Sequence, residues 1–269
     1  MRSGSDRVSV VVPTRERAEA LRRCLAALEA QTRSTEIVVL EDSEGRGPAW
    51  ARNEGVRRAR GEVVCFTDDD CEPTKGWVET LVAPILAGEA EAATGPVFIG
   101  PGATTADRAW EAIVHYLQVE ATAPGSASPS FAVTANLAAK RSLLERTPFD
   151  ESFPAAAGED RDWGERVARE GSAPRFLPEA IVEHQSGMSA AGFLRQQYRY
   201  GRGAVRYRAS APGRRRGSPS FYAGLLRAAF RAGLAAGLFV TAAQLATAAG
   251  ACAETAKKAL EGLFLRSRR

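Results

Sequence analysis

The sequence predicts an α/β fold: a mostly parallel sheet flanked by helices, followed by a C-terminal helical extension. Short β-branched apolar runs alternate with segments of helical apolar spacing over roughly the first 190 residues. That is the pattern of parallel strands joined by right-handed helical crossovers. One of the runs, in GEVVCFTDDDCEP (61–73), passes straight into three aspartates. Open α/β sheets place their ligands at the carboxyl ends of such strands. From residue 185 to 253 there is no acid at all, and alanine and arginine dominate.

The elements follow in order. RVSVVVPT (7–14) is a β-branched strand stopped by Pro13. Residues 16–31 place Ala20, Leu21, Cys24, Leu25 and Leu28 at helical spacing. EIVVLED (36–42) is a second strand ending in acids, and SEGRGP is a turn-rich loop. A short helix over 49–60 leads into the third strand, 62–67. A helix near 76–87 and a strand near 92–99 come next. PGSASPS (124–130) reads as a mobile loop, FAVTANLAAK (131–140) as a strand running into a turn, and 159–170 as a helix. RFLPEAIVEH (175–184) is a late strand. These elements suggest two domains, 1–190 and 191–269, and no internal repeat interrupts them.

Bulk properties narrow the chemistry. With 269 residues, 45% apolar and 25% charged, the chain can bury a sizeable core and has an ordinary globular composition. Cys24, Cys65, Cys71 and Cys252 lack ligand or disulfide spacing, so reduced thiols in the cytoplasm are expected. Only His115 and His184 are present, so a metal site should rest mainly on carboxylates. MRSGSDR carries no apolar leader pattern. Ten arginines between 185 and 253 give that segment +10, which leaves −6 for the rest of a chain of net charge +4. Such asymmetry points to a polyanionic surface, anionic lipid or nucleic acid, or else to a solvated helix face.

Three adjacent carboxylates repel one another unless a cation or donors offset them. Turn formation needs one Asp, and Asp68, Asp69 and Asp70 exceed it, so a hard-cation site is the sharper reading. GEDRDWGER (158–166) crowds Glu159, Asp160 and Asp162 at a helix start, where acids complement the helix's positive end. Thr14 and Glu16 would similarly serve as N-cap and first-turn acid of the first helix. His184 follows an apolar strand and by itself would be structural or surface.

The order VSVVVPTRER, VVLEDS, ARNEGVRRARGEVVCFTDDDCEP, TANLAAKRS, FDESF, GEDRDWGERVAREG resembles the family 2 glycosyltransferases of GT-A fold. The similarity covers about residues 7 to 200, and its strength lies in these pieces standing in family order. It implies an inverting, metal-dependent transfer of sugar from a nucleotide-diphosphate sugar (UDP-, GDP- or dTDP-) to an acceptor hydroxyl of a glycan or lipid-linked molecule. It implies Mn²⁺ or Mg²⁺ at Asp70, with Asp68 at ribose or metal and Asp69 at nucleotide or sugar; a register shift of one residue stays open. His184 becomes a further metal ligand. Pro13, Thr14, Arg15 and Glu16 would lie over base and ribose, and Asp42 would meet the nucleobase. There the chain has Glu41-Asp42-Ser43-Glu44 where the family often has Asp-Asp-Gly-Ser. Arg52, of the Arg52-Asn53 pair, would contact the diphosphate or pair with Asp68. Asp160 would be the base, kept ionised by the helix end, with Glu159 orienting its neighbours.

GFLRQQYRYGRGAVRYR (192–208) mixes aromatics with arginines and resembles the helix that closes the acceptor side in these enzymes. Residues 232–253 are uncharged but rich in Ala, Gly and Thr, which suits a helical hairpin packed on the domain or lying at a membrane interface. A cell-envelope role at the inner face of a bacterial plasma membrane is expected, and nucleic acid is the weaker partner. Two alternatives are a sugar nucleotidyltransferase and a non-enzymatic binder of RNA or anionic lipid. The first needs a glycine-rich loop after the first strand, and PTRERAEA has none.

Overall fold

The structure is a computed structural model, describing residues 8–122, 132–153, 157–185, 187–211, 214 and 217–266. β1 (Val8–Thr14), α1 (Ala18–Glu29), β2 (Glu36–Glu41), α2 (Pro48–Arg58) and β3 (Val63–Phe66) come first. β4 (Cys71–Pro73), α3 (Trp77–Leu86), β5 (Ala92–Thr94), β6 (Val97–Ile99) and α4 (Thr105–Thr122) follow. A 3-10 turn at Thr134–Asn136 leads into β7 (Leu137–Lys140), α5 (Arg141–Arg146), α6 (Glu159–Arg169), β8 (Arg175–Phe176) and β9 (Val182–His184). The chain continues through α7 (Ala190–Ala209), α8 (Pro219–Ala232) and α9 (Leu234–Arg266). It divides into two compact units. One comprises Met1–Ala103, Val114–Pro154 and Glu159–Ser186; the other comprises Thr104–Ile113, Ala155–Gly158 and Gly187–Arg269.

The first unit holds both sheets. The six-stranded one runs β2-β1-β3-β7-β5-β8, and only β7 opposes the common direction. Val8, Val10, Val11 and Val12 of β1 are fully buried, as a central parallel strand covered on both faces requires. The three-stranded sheet runs β4-β9-β6, with β9 antiparallel to β4 and parallel to β6. The chain steps between the two sheets at Thr67–Asp70, at Gly95-Pro96 and again at 177–181. The aspartate triplet is thus the first of these crossings.

Two sequence expectations fail at the other crossings. The single strand near 92–99 is β5 and β6 in different sheets, because Gly95 and Pro96 interrupt the run and proline cannot donate to a ladder. The late strand 175–184 is likewise β8 and β9, broken around Pro178. In 131–140 only Leu137–Lys140 is strand, preceded by the 3-10 turn. Asn136 ties the two sheets together: its side chain donates to Pro96 O (2.8 Å) and Ala180 O (2.7 Å) and accepts from Trp77 Nε1 (2.8 Å). The expected loop at 124–130 lies outside the described residues.

In the second unit α7 packs on α9, and α8 packs on α9 as well. The hairpin expected within 232–253 is absent. The break falls at Gly233, where φ is 142°, and Leu234–Arg266 continues as one helix because Ala-rich sequence without proline gives it no stop.

Candidate active site

All the candidate site residues lie in the first unit: at the carboxyl ends of β1, β2, β3 and β9, within α2 and at the start of α6. Aromatic packing sets the position of α6. Phe149 stacks on Trp163 (centroids 5.4 Å apart) and meets Phe66 edge-on at 5.6 Å, while Trp163 Nε1 donates to Thr147 O at 2.8 Å. Trp163 sits one helical turn beyond Glu159 and Asp160, so fixing it fixes them.

Arg52 joins the two acidic groups. It projects from α2 over the Phe149 ring, buried, and donates to Asp68 Oδ1 and Glu159 Oε1, each at 3.0 Å. Burial alone would lower its pKa, but Asp68, Glu159 and Asp160 outweigh that, so the guanidinium stays charged. Asn53 faces elsewhere, donating to Phe149 O and Glu151 while accepting from the Phe149 amide. Its role is to hold the loop before α6.

Each aspartate of the triplet has its own partners. Asp68 takes Arg52. Buried Asp69 accepts from Thr14 Oγ1 at 2.7 Å and from Arg17 at 3.2 Å; burial pushes its carboxyl up despite both bonds. Asp70 accepts from Arg17 Nη1 at 2.5 Å and lies 3.3 Å from His184 Nε2. Burial would raise the Asp70 carboxyl, yet His184 and Arg17 together hold it below the usual carboxylate range. The ladder enforces the Asp70–His184 approach: Cys71 pairs with His184, and the Gln185 amide donates to Asp70 O at 2.8 Å.

Asp70, Cys71 and His184 each offer a ligand atom within 4.8 Å of the others. Burial keeps the Cys71 thiol protonated, its pKa well above the ordinary value, so the usable donors are a carboxylate and an imidazole. That pair fits Mn²⁺ or Mg²⁺, with remaining positions left to phosphate oxygens and water. Asp68 is engaged with Arg52 rather than joined to this group.

Thr14 does not cap α1. The N-cap is Arg17, without a side-chain bond, and the Thr14 hydroxyl goes to Asp69 instead. Pro13 lies within β1 opposite Leu40, Thr14 closes the strand opposite Glu41, and exposed Arg15 and Glu16 follow, Glu16 with φ 54°. The Arg15 guanidinium reaches Gly45 of the next loop. Asp42 accepts the amides of Arg46 (2.8 Å) and Gly47 (2.7 Å), shaping the turn into α2. Its oxygens keep second lone pairs for a ligand.

Asp160 differs from expectation in charge. Burial first, then the neighbouring Glu159, push its carboxyl up to about 7, beyond what the Arg161 amide (2.7 Å) and the Arg52 charge offset. Arg17 is the site residue that the sequence did not reveal. Nothing in its spacing marks it, because its partners lie over fifty residues away.

Residues 33–146 match the family model Glycosyl transferase family 2. The chain is 25% identical over 228 residues to Glycosyltransferase AglE of Haloferax volcanii, covering 74% of this chain and 73% of that one. It is 26% identical over 226 residues to the Pre-mycofactocin glycosyltransferase of Mycobacterium tuberculosis, 74% of this chain but 47% of the relative. Its fold is similar to that of mannosyltransferase PcManGT from Pyrobaculum calidifontis, solved with GDP-Man and Mn²⁺, at a TM-score of 0.55 and 23% identity over 96% of this chain and 80% of that one. With these likenesses and a mainly parallel sheet that ends in clustered acids, the chain is similar to the family 2 glycosyltransferases, over 33–146 by the family model, and has the GT-A fold.

Proposed function

We propose that the enzyme is an inverting, metal-dependent transferase that moves a sugar from a UDP-, GDP- or dTDP-sugar to an acceptor hydroxyl. The observation that carries it is the Arg52 bridge, which holds Asp68 of the triplet, 16 residues on in the chain, and Glu159 of the Glu-Asp pair, 107 residues on, with one guanidinium. Donor end and base are thereby locked into one site. The bound GDP-Man and Mn²⁺ of PcManGT support the donor class.

Asp70 and His184 would hold the cation, which supplies positive charge opposite the diphosphate. Asp69, anchored by Thr14, and the Pro13–Glu16 turn would line ribose and base, with Asp42 beneath the base. Arg52 stays charged beside the phosphates. The bond from the anomeric carbon to the diphosphate oxygen breaks as the acceptor oxygen attacks from the opposite face. The acceptor proton passes to an Asp160 carboxylate oxygen. A base with a pKa near 7 is matched to that task at neutral pH. Glu159, pinned to Arg52, orients the helix start.

Residues 1–190 would form the catalytic part. The acceptor would be a glycan or a lipid-linked molecule of the cell envelope, reached from the cytoplasmic side. The test is transfer from each class of nucleotide-sugar with Mn²⁺, reading the product anomer by NMR. Inverted configuration and loss of turnover in EDTA are expected; a retained configuration would overturn the mechanism.

A further inference from the structure

The second unit carries a surface that the transfer reaction does not use. Leu234, Leu238, Thr241, Leu245, Ala248 and Cys252 of α9 are exposed, spaced alternately four and three residues apart. That spacing keeps them on a single line of the helix, about 27 Å long at 1.5 Å per residue. Leu234 and Leu245 are each 70% exposed and Leu238 57%, and no residue from 232 to 253 is charged. The exposed face of α8 adds Arg227, Phe230 and Arg231. The Phe230 ring lies against α9 at Gly237, where a Cβ would meet it at 2.3 Å, so aromatic, leucines and arginines form one patch.

The opposite side of α9 is already occupied. Gly201 and Gly250 let the backbones touch: a Cβ on either would lie 1.9 Å from Thr247 O or 2.0 Å from Tyr198 O. Buried Glu254 accepts from Arg202 (2.8 Å) and Arg206 (3.0 Å) at the same interface. By length and composition Leu234–Glu261 is apolar enough to cross a bilayer, yet one side is committed to α7 and only 28% of its most apolar stretch is buried. A helix with one packed side and one uncharged exposed side, flanked by arginines, suits the plane of an interface better than a span.

We infer that this α8–α9 face docks on an anionic phospholipid bilayer, with the leucine line entering the headgroup boundary and Arg227 and Arg231 meeting lipid phosphates. The charge of the segment selects this occupant. A second copy would set the +10 stretch of 185–253 against itself, whereas an anionic bilayer attracts it. The inference is independent of the catalytic reading, since none of these residues belongs to the site.

The test is flotation of the full-length protein with phosphatidylcholine vesicles, with and without phosphatidylglycerol. Binding to the anionic vesicles that salt weakens is expected. Leu238→Asp with Leu245→Asp should lower partitioning by about tenfold or more with an unchanged circular dichroism spectrum, because each places a charge where a leucine would enter lipid. Arg227→Gln with Arg231→Gln should abolish the preference for phosphatidylglycerol. Should the leucine variant fail to fold, the wild type still decides. Cys24, Cys65 and Cys71 are buried and Cys252 is exposed, so a polarity-sensitive fluorophore on Cys252 should shift to the blue with anionic vesicles. No flotation, no blue shift, or equal partitioning of wild type and a folded leucine variant would overturn the inference. So would a salt-sensitive RNA complex, or a dimer that the leucine variant splits, without lipid binding.

Discussion

At the scale of single residues, Asp160 carries a cost in stability that its proposed role as base would account for. Its carboxyl titrates near 7 in the folded protein against 3.8 ordinarily, so between those values the folded state keeps a proton that the unfolded chain has released. Stability therefore falls as pH rises across that window, while the fraction of competent base grows. Asp160→Asn should raise the melting temperature by a few degrees at pH 8. The same variant should lower kcat by about 10²–10⁴-fold with donor affinity nearly intact. In the wild type kcat should climb with pH through about 7, and this limb should vanish in the asparagine variant. Glu159→Gln should cost less, because that side chain is held by Arg52. A greater loss from Glu159→Gln would move the base to Glu159. Asp70→Ala should abolish Mn²⁺-dependent nucleotide binding, read by calorimetry, while the protein stays folded. Unchanged binding in that variant would remove Asp70 from the cation site.

At the scale of elements, legibility followed length. β1, α1, β2, α2 and β3 each carry a run long or periodic enough to read, and the structure places them close to where the sequence does. β5, β6 and β9 have three residues each, too few for any period, and β8 has two. The second sheet was therefore invisible, as was the opposed direction of β7, which depends on partners and not on local sequence. The acids of the candidate site stood out because carboxylates crowd at two points. Arg17 and Asn136 did not, since each acts through contacts distant in the chain. Asn136 is fully buried and satisfies groups on three separate segments. Asn136→Ala should destabilise the protein by about 1–3 kcal/mol in urea titration, the range for orphaned buried polar groups. A loss near zero would mean that water replaces the amide.

At the scale of the whole molecule, a ligand that binds only the folded state should lift its melting temperature. A nucleotide diphosphate with Mn²⁺ at about 100 times its Kd would add about 2.7 kcal/mol, a shift of several degrees. Neither component alone should match it if the cation sits between Asp70, His184 and the phosphates. The crossing at 67–70 would give a cation held there a mechanical role as well. Asp70 immediately precedes β4 and His184 ends β9, on adjacent strands of the small sheet. An ion gripping both would act as a rivet through a three-stranded patch whose own ladder is only three pairs long on each side. Amide exchange should record this: Cys71, Glu72, Val182 and Glu183 should slow on loading with Mn²⁺, while the fully buried strand β1 keeps the rate it already has.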